Sequence, residues 1–567
     1  MTLSLLALGF LALVSLGYRL YGGFVARKLA LDDRRTTPAV ELEDGRDFVP
    51  TPRFYLFGQH FSAIAAAGPI AGPILAAQGF GWLPCLLWIG LGVVFIGAVH
   101  DFATLVASVR HHGHSIADIA REHLGPRAGY ALTLFLWIAL IYVIVAFVDI
   151  TAGTFVTGGE DLAGVRGEFN RGGAVAAAST GYLVLALLLG LLRRFTQLPL
   201  AALTLVFVPA ILAMSWLGTE ISTLLLFSRE TWALLILGYC FLASLSPVWL
   251  LLQPRGYLGG FVLYAALALG VLGVFCGGYA IQQPAFKTWD LGTATGQLFP
   301  FLFVTIACGA CSGFHGLVCS GTTSKQVAKE SHTLSVGYGA MLAEGCVAFL
   351  ALVTVMIFTN EELRGLSPGA VYGQGIGRFL ELLLGEGQRA FAITFGAMVF
   401  STFVFDTIDV CTRLGRYLLQ EILGWRGTLG AIFATFVTVA VPGLFLSLGG
   451  SGGYLRFWSL FGASNQLLAA LTFLSILVWL RTRGTSALFV WLPLAFLLPM
   501  TTWALGKIAL ASFAAAQGFD LQAVNGLAAS LLLLLALVLL AASWQRLRAI
   551  PRPQDAPPSA DRAPHEL

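Results

Sequence analysis

Apolar runs of about twenty residues recur along this chain, and that is the length an α-helix needs to cross the hydrocarbon of a bilayer at about 1.5 Å per residue. LTLFLWIALIYVIVAFV, from Leu132 to Val148, and LAASLLLLLALVLLAASW, from Leu527 to Trp544, are two of them. Lipid cannot satisfy an unpaired backbone, and the runs are continuous rather than alternating with period two, so helices are expected and a barrel is not. The fold class is therefore all-α, a polytopic membrane protein. Composition agrees: the 567 residues are 57% hydrophobic and only 11% charged.

Spans are expected at about 3–22, 57–79, 82–108, 127–157, 174–192, 198–218, 230–252, 257–280, 297–320, 335–359, 388–411, 428–447, 458–480, 487–507 and 525–545, about fifteen in all. The first run has no basic flank before it and no small-residue cleavage site before Tyr18 and Arg19, so it reads as a retained span. Alternate loops carry the cations: Arg27, Lys28, Arg34, Arg35 and Arg53, then Arg110, Arg121 and Arg127, then Arg193 and Arg194. The alternation continues through Arg255, Lys325, Lys329, Arg413, Arg416, Arg426, Arg481, Arg483, Arg546, Arg548 and Arg552. The intervening loops hold Glu160, Asp161, Glu220, Asp290, Glu361 and Glu362, which places the basic side in the cytoplasm, the N-terminus outside and the C-terminus inside. The Pro- and Ala-rich tail at 551–567 is expected to be disordered. The net charge of +4 resides in short loops and implies no nucleic-acid partner. The eight cysteines lie almost entirely in apolar runs and read as small buried residues rather than a disulfide frame.

One span breaks the pattern. FGQHFSAIAAAGPIAGPILAAQGFGW, from Phe57 to Trp82, carries Gly68-Pro69 and Gly72-Pro73 at mid-membrane depth, where each proline removes a helix hydrogen bond. A discontinuous substrate-binding helix is expected there, with Gln59, His60 and Ser62 nearby as polar contacts. Transporters often repeat such a helix in inverted orientation, and the proline-interrupted LASLSPVWLLLQPRGYL offers a mate, with Ser246, Pro247 and Gln253 lining the same site. The expected organisation is an N-terminal helix and linker at 1–53 and an inverted-repeat transport core at 54–424, whose halves are 54–218 and 230–424. C-terminal helices follow at 425–550. A third irregular stretch, CGACSGFHGLVCSGTTSKQ from Cys308 to Gln326, is expected to pack its small residues against the interrupted helix and to offer oxygen ligands, Ser312 among them, to a coupling cation or a substrate; the alternative is tight helix packing alone.

Ionisable residues inside spans are costly and therefore functional candidates. Asp149, with no cation near it in sequence, is the leading candidate for proton or sodium coupling; His100, Asp101, His315 and Glu344 are candidate relay members. Asp406 and Asp409 are expected to pair with Arg413 and Arg416 as structural ion pairs, since Asp409 and Arg413 stand four apart on one helical face. HHGH at 111–114 reads as a solvated loop rather than a metal site, and no phosphate-binding loop is present. A secondary transporter without cofactor is expected, with a proton or sodium ion as the coupling ion. A ligand-binding sensor, or an intramembrane enzyme using His100 and Asp101 as base and orienter, is the alternative.

The stretches FGQHFSAIAAAGPIAGPILAAQGFGWLP, GAVHDFATLVASVRHHGHSIADIA, SPVWLLLQPRGYL, CGACSGFHGLVCSGTTSKQ, DTIDVCTRLGRYLLQE and FGASNQLLAAL, in this order, resemble the carbon starvation protein A family from about Phe54 to Leu471. The resemblance implies a bacterial inner-membrane secondary transporter, related in fold to the amino acid/polyamine/organocation superfamily. It further implies uptake of peptides and, in some members, of pyruvate by proton symport.

Overall fold

The computed structural model describes residues 2–45, 47–65, 67–156, 169–425, 427–449 and 454–550. The expected disordered tail and the acidic pair Glu160 and Asp161 lie outside the described residues. Within them the regular structure is helical, with two isolated β-bridges, Thr51 to Val327 and Asp290 to Gln297.

Helix α1 is Leu3–Leu29, followed by a linker with one short turn of helix at Pro38–Glu41. The first interrupted helix is α2, Arg53–Ile64, and α3, Gly68–Phe80, bent by 45° where they meet. Then come α4, Trp82–Val109, the short amphipathic α5, Ile116–Leu124, and α6, Pro126–Phe155. The chain continues through α7, Arg171–Phe195, α8, Leu200–Glu220, α9, Arg229–Leu245, and α10, Leu252–Cys276. A second interrupted helix is formed by α11, Leu298–Thr305, and α12, Phe314–Gly321. The remaining elements are α13, Leu334–Met356, α14, Pro368–Leu384, α15, Arg389–Leu423, α16, Thr428–Gly449, α17, Tyr454–Thr482, α18, Leu488–Ala515, and α19, Leu521–Ala549.

Among the described residues, twelve helices are single, long and apolar enough to cross a membrane, and the bent pair α2–α3 makes a thirteenth. The expected span at 230–252 is the 17-residue α9, and the one at 297–320 is a pair of eight-residue helices. Helix α14, 17 residues packed along α15, was not anticipated. Its sequence, PGAVYGQGIGRFLELLL, is rich in glycine and short, so it lacks the long apolar run that marks the others.

Buried surface concentrates on α6, α13, α15 and α17, while α8 and α16 leave most of their length to lipid. Both α4 and α13 contain a stretch of wider π-helix, at Val93–Gly97 and Leu334–Gly339. A carbonyl loosened in the first is taken up by the second: the Tyr338 hydroxyl donates to Val94 O at 2.7 Å. At one end of the bundle the basic loops are gathered by a single buried acid. Glu330, 1% exposed, accepts from Arg110 Nε at 2.6 Å, Arg35 Nη1 at 3.1 Å and the Asp32 amide at 2.7 Å. Val49 and Thr51 of the linker donate their amides to Lys325 O and Gln326 O there.

Two expectations about the breaks are corrected. The unwound residues lie between Ile64 and Gly68, so Gly68 to Pro73 form the start of a continuous helix rather than the break itself. Pro69 sits in the first turn, where no amide is needed. Only Pro73 removes an internal bond, freeing the Pro69 carbonyl. The second correction concerns the mate. Pro247 lies in the turn joining α9 to α10, exposed, with Ser246 half-buried and Gln253 exposed. That turn packs on Gly190 of α7 and away from α3. A proline just past a helix end is doing what prolines ordinarily do.

Candidate functional site

The partner of the first break is the second. A Cβ placed on Gly68 would fall 2.6 Å from Cys308 Sγ, and one on Gly72 would fall 2.6 Å from Thr305 O, so the first turns of α3 lie against the end of α11 at a distance only glycine permits. Gly309, with φ +86°, turns the chain between α11 and α12 against Pro69 and Ala348.

Backbone freed inside a membrane protein needs partners from neighbouring helices. Trp458 Nε1 donates to Thr305 O at 3.1 Å, Trp88 Nε1 to Ile306 O at 3.0 Å, and Gln466 Nε2 to Phe303 O at 2.9 Å. On the far side of the break Asn465 acts as the cap that α12 lacks in its own sequence. Its Oδ1 accepts the Phe314 amide at 2.9 Å and its carbonyl accepts the Gly313 amide at 3.1 Å. Its Nδ2 donates to Ser312 Oγ at 3.1 Å.

Next to this junction stands a chain of titratable groups. His100 and Asp101 are adjacent on α4, His315 is in the first turn of α12, and Glu344 is on α13; all four are 0–1% exposed. Asp101 bridges the two imidazoles, with Oδ1 2.8 Å from His100 Nδ1 and Oδ2 2.9 Å from His315 Nδ1. With Asp101 ionised both rings donate their Nδ1–H to it, and in a neutral ring that leaves Nε2 as a lone pair. His315 Nε2 lies 3.3 Å from Glu344 Oε2, a separation without hydrogen-bond alignment, so these two buried atoms and His100 Nε2 stand without a hydrogen bond. The other carboxylate oxygen, Glu344 Oε1, accepts the Gly309 amide at 3.1 Å. A proton between Glu344 and His315 would therefore complete the relay, and the carboxyl that holds it also holds the break. His60, on α2, joins from the other interrupted helix. Its Nδ1 is 2.9 Å from Thr323 Oγ1 and its Nε2 is 3.8 Å from Cys319 Sγ.

The other expected residues are placed differently. Asp149 is not alone: Arg229, 80 positions away on α9, donates Nε–H to Asp149 Oδ1 at 2.7 Å and Nη2–H to the Asp149 carbonyl at 3.1 Å. The pair makes Asp149 a bound counter-ion rather than an isolated acid. Gln59 is exposed and Ser62 half-buried, so only His60 of that trio faces the interior. Asp406 and Asp409 do not pair with Arg413 and Arg416. Both meet Arg255, fully buried on α10, at 2.5 and 3.1 Å. Arg255 Nη1 also donates to the Tyr239 hydroxyl. Arg413 instead donates to Ala243 O and Ser246 O at the end of α9, and Arg416 lies over the Tyr417 ring. Asn465, Arg255 and Arg229 were missed. A lone Asn-Gln pair inside the apolar run of FGASNQLLAAL and the arginine of QPRGYL were the available signals.

A family model described as Carbon starvation protein CstA matches residues 1–374 and 363–504. The protein named Peptide transporter CstA from Campylobacter jejuni is 35% identical over 566 residues, covering 86% of this chain and 78% of that one. Peptide transporter CstA from Bacillus subtilis is 32% identical, covering 94% and 95%. Pyruvate/proton symporter BtsT from Escherichia coli is 31% identical, covering 86% and 79%. Among solved structures, a mutant manganese transporter of Eremococcus coleocola aligns over 90% of this chain and 99% of its own with 14% identity and a TM-score of 0.45.

Proposed function

This chain belongs to the carbon starvation protein CstA family, and from that premise we propose that it is a multi-pass secondary transporter of a bacterial inner membrane that imports pyruvate or short peptides with protons. The relatives' names supply the two substrate classes. One observation carries the choice of coupling site: His315, on the half-helix beside the break, stands between Asp101 and Glu344 while Glu344 accepts the break's own Gly309 amide.

The cycle follows from that arrangement. A proton arriving on Glu344 weakens its hold on the Gly309 amide and alters its pull on His315, which releases α12 relative to α4 and α13. The substrate carboxylate sits where α3 begins, at Ala67 and Gly68, against the positive end of the helix dipole. Gly68, Pro69, Gly72 and Pro73 form the wall there, with Ser312 and Cys308 opposite. Ordered movement of the two interrupted helices then carries substrate and proton across together. The basic end, gathered on Glu330, faces the cytoplasm by the excess of Arg and Lys in its loops. The N-terminus is then outside and the C-terminus inside.

Uptake of labelled pyruvate and of dialanine into proteoliposomes, under an imposed proton or sodium gradient, tests the reading. Concentration of either substrate driven by the proton gradient, and its loss in His315→Gln, is the expected result. Accumulation driven by sodium alone overturns the proton assignment, and no uptake of either substrate class under any gradient overturns the substrate assignment.

A further inference from the structure

At the basic end, where α4 gives way to α5, lies a cluster that transport chemistry leaves unused. His111 belongs to the HHGH run expected to be a solvated loop, yet it is only 6% exposed, with its ring edge-on to Trp479 at 5.4 Å between ring centres. Its Nδ1–H donates to Ala107 O at 2.6 Å. That bond fixes the tautomer and aims the Nε2 lone pair at His123 Nε2, 2.8 Å away. His123 occupies the last turn of α5, a helix whose start is held by the Ser115 hydroxyl accepting the Asp118 amide. The Glu122 carboxylate approaches the same nitrogen at 4.0 Å, and one ligand atom from each of the three residues lies within 4.8 Å of the other two.

We propose that His111, His123 and Glu122 form a site for a transition-metal cation of the Zn2+ class, with water completing the coordination. Four features support it. Two imidazole nitrogens converge, and a bound ion would replace the proton now shared between them with two bonds of about 2.0–2.1 Å, which opens their separation only slightly. The backbone carbonyl on the far nitrogen of His111 is the outer-shell partner that metal-bound histidines ordinarily have. Burial pushes both imidazoles below their ordinary pKa, and for His123 the neighbouring His111 adds to the effect, which is the direction that favours the unprotonated form a metal needs. Two imidazoles and one carboxylate suit Zn2+, Cu2+ or Ni2+ and not Mg2+ or Ca2+. Arg483, whose guanidinium lies over Trp479, and Arg546 add positive charge nearby. The ion is then held by its ligand bonds and not by the surrounding field. Because His111 follows directly on α4, which carries His100 and Asp101, a bound ion would pin the end of that helix to α5.

Titration of tag-free purified protein with Zn2+ by calorimetry, and with Co2+ by visible absorption, tests the site without reference to transport. One ion per chain and a tetrahedral Co2+ band are expected, with His123→Ala weakening binding by about ten-fold or more and Glu122→Gln by less. His123 is at the margin of the fold, so unchanged metal-free thermal unfolding serves as the folding control; His112→Ala and His114→Ala should bind as the wild type does. No uptake of Zn2+ by the wild type, or equal affinity in His123→Ala, overturns the proposal.

Discussion

In the proposed cycle Glu344 carries two separable duties, and a single substitution can remove one and keep the other. In Glu344→Gln the side-chain oxygen still accepts the Gly309 amide, now 3.1 Å from Oε1, while the new amide group occupies the place of Oε2, 3.3 Å from His315 Nε2. The Gly309 bond is kept and no hydrogen bond is lost at the other oxygen, so the stability change should stay within about 1 kcal/mol. Glu344→Ala, by contrast, leaves the Gly309 amide orphaned in the interior and should cost about 1–3 kcal/mol for that group alone. The glutamine cannot accept a proton. For symport of one proton, a gradient of one pH unit corresponds to about 1.4 kcal/mol and supports roughly ten-fold accumulation of a neutral-equivalent load. In proteoliposomes the wild type should approach that ratio. Glu344→Gln should equilibrate near one-fold while retaining exchange of labelled for unlabelled substrate, and its thermal unfolding should match the wild type. A Glu344→Gln protein that concentrates substrate like the wild type would refute the coupling argument. An alanine variant as stable as the glutamine variant would refute the assignment of the amide bond.

Three further outcomes follow. Arg255→Met leaves Asp406 and Asp409 buried without their guanidinium, which should cost about 3–5 kcal/mol in detergent unfolding; adding Asp406→Asn and Asp409→Asn should recover much of the loss. Asp149→Asn should lower stability by about 1–3 kcal/mol through its Arg229 partner yet leave proton-driven accumulation intact, and loss of coupling without loss of stability would reverse that placement. Asp520 caps α19 by accepting the Ala523 amide at 2.9 Å, and these backbone bonds hold its carboxyl below the usual range. A depressed folded-state pKa means its contribution is present at neutral pH and is lost as pH falls through the carboxylate range below about 3.9. Amide exchange in the first turn of α19 should therefore accelerate on acidification, and not in Asp520→Asn.

The helical membrane class was legible because hydrocarbon thickness imposes a run length that composition cannot disguise. The place of the first interruption was legible to within a few residues, because glycine and proline mark it locally. Its mate was not. The second break is made by CGACSGFHG without a proline, and its freed carbonyls are satisfied by Trp88, Trp458 and Gln466 from helices far away in sequence. Pro247 looked like the mate because it interrupts an apolar run, yet the same residue type also ends helices at ordinary turns. Charge pairing failed for a related reason. Four-residue spacing brings Asp409 and Arg413 to one face, but Arg255 reaches both acids from another helix and has no solvent to compete for it, whereas Arg413 finds carbonyls at the end of α9. His111 was read as a loop residue because its sequence neighbours are polar, and the ring that buries it, Trp479, is supplied by α17.

The double placement of Glu344, with one oxygen beside His315 and the other accepting the Gly309 amide, bears on how tightly the machine is geared. A transporter whose proton site and moving joint are separate can slip: protons pass without cargo, or cargo drains back without protons. In the proposed cycle both events draw on one carboxyl group through its two oxygens, so neither completes its stroke while the other stands idle, and the gradient is protected against futile leakage by a shared group rather than by a long-range signal.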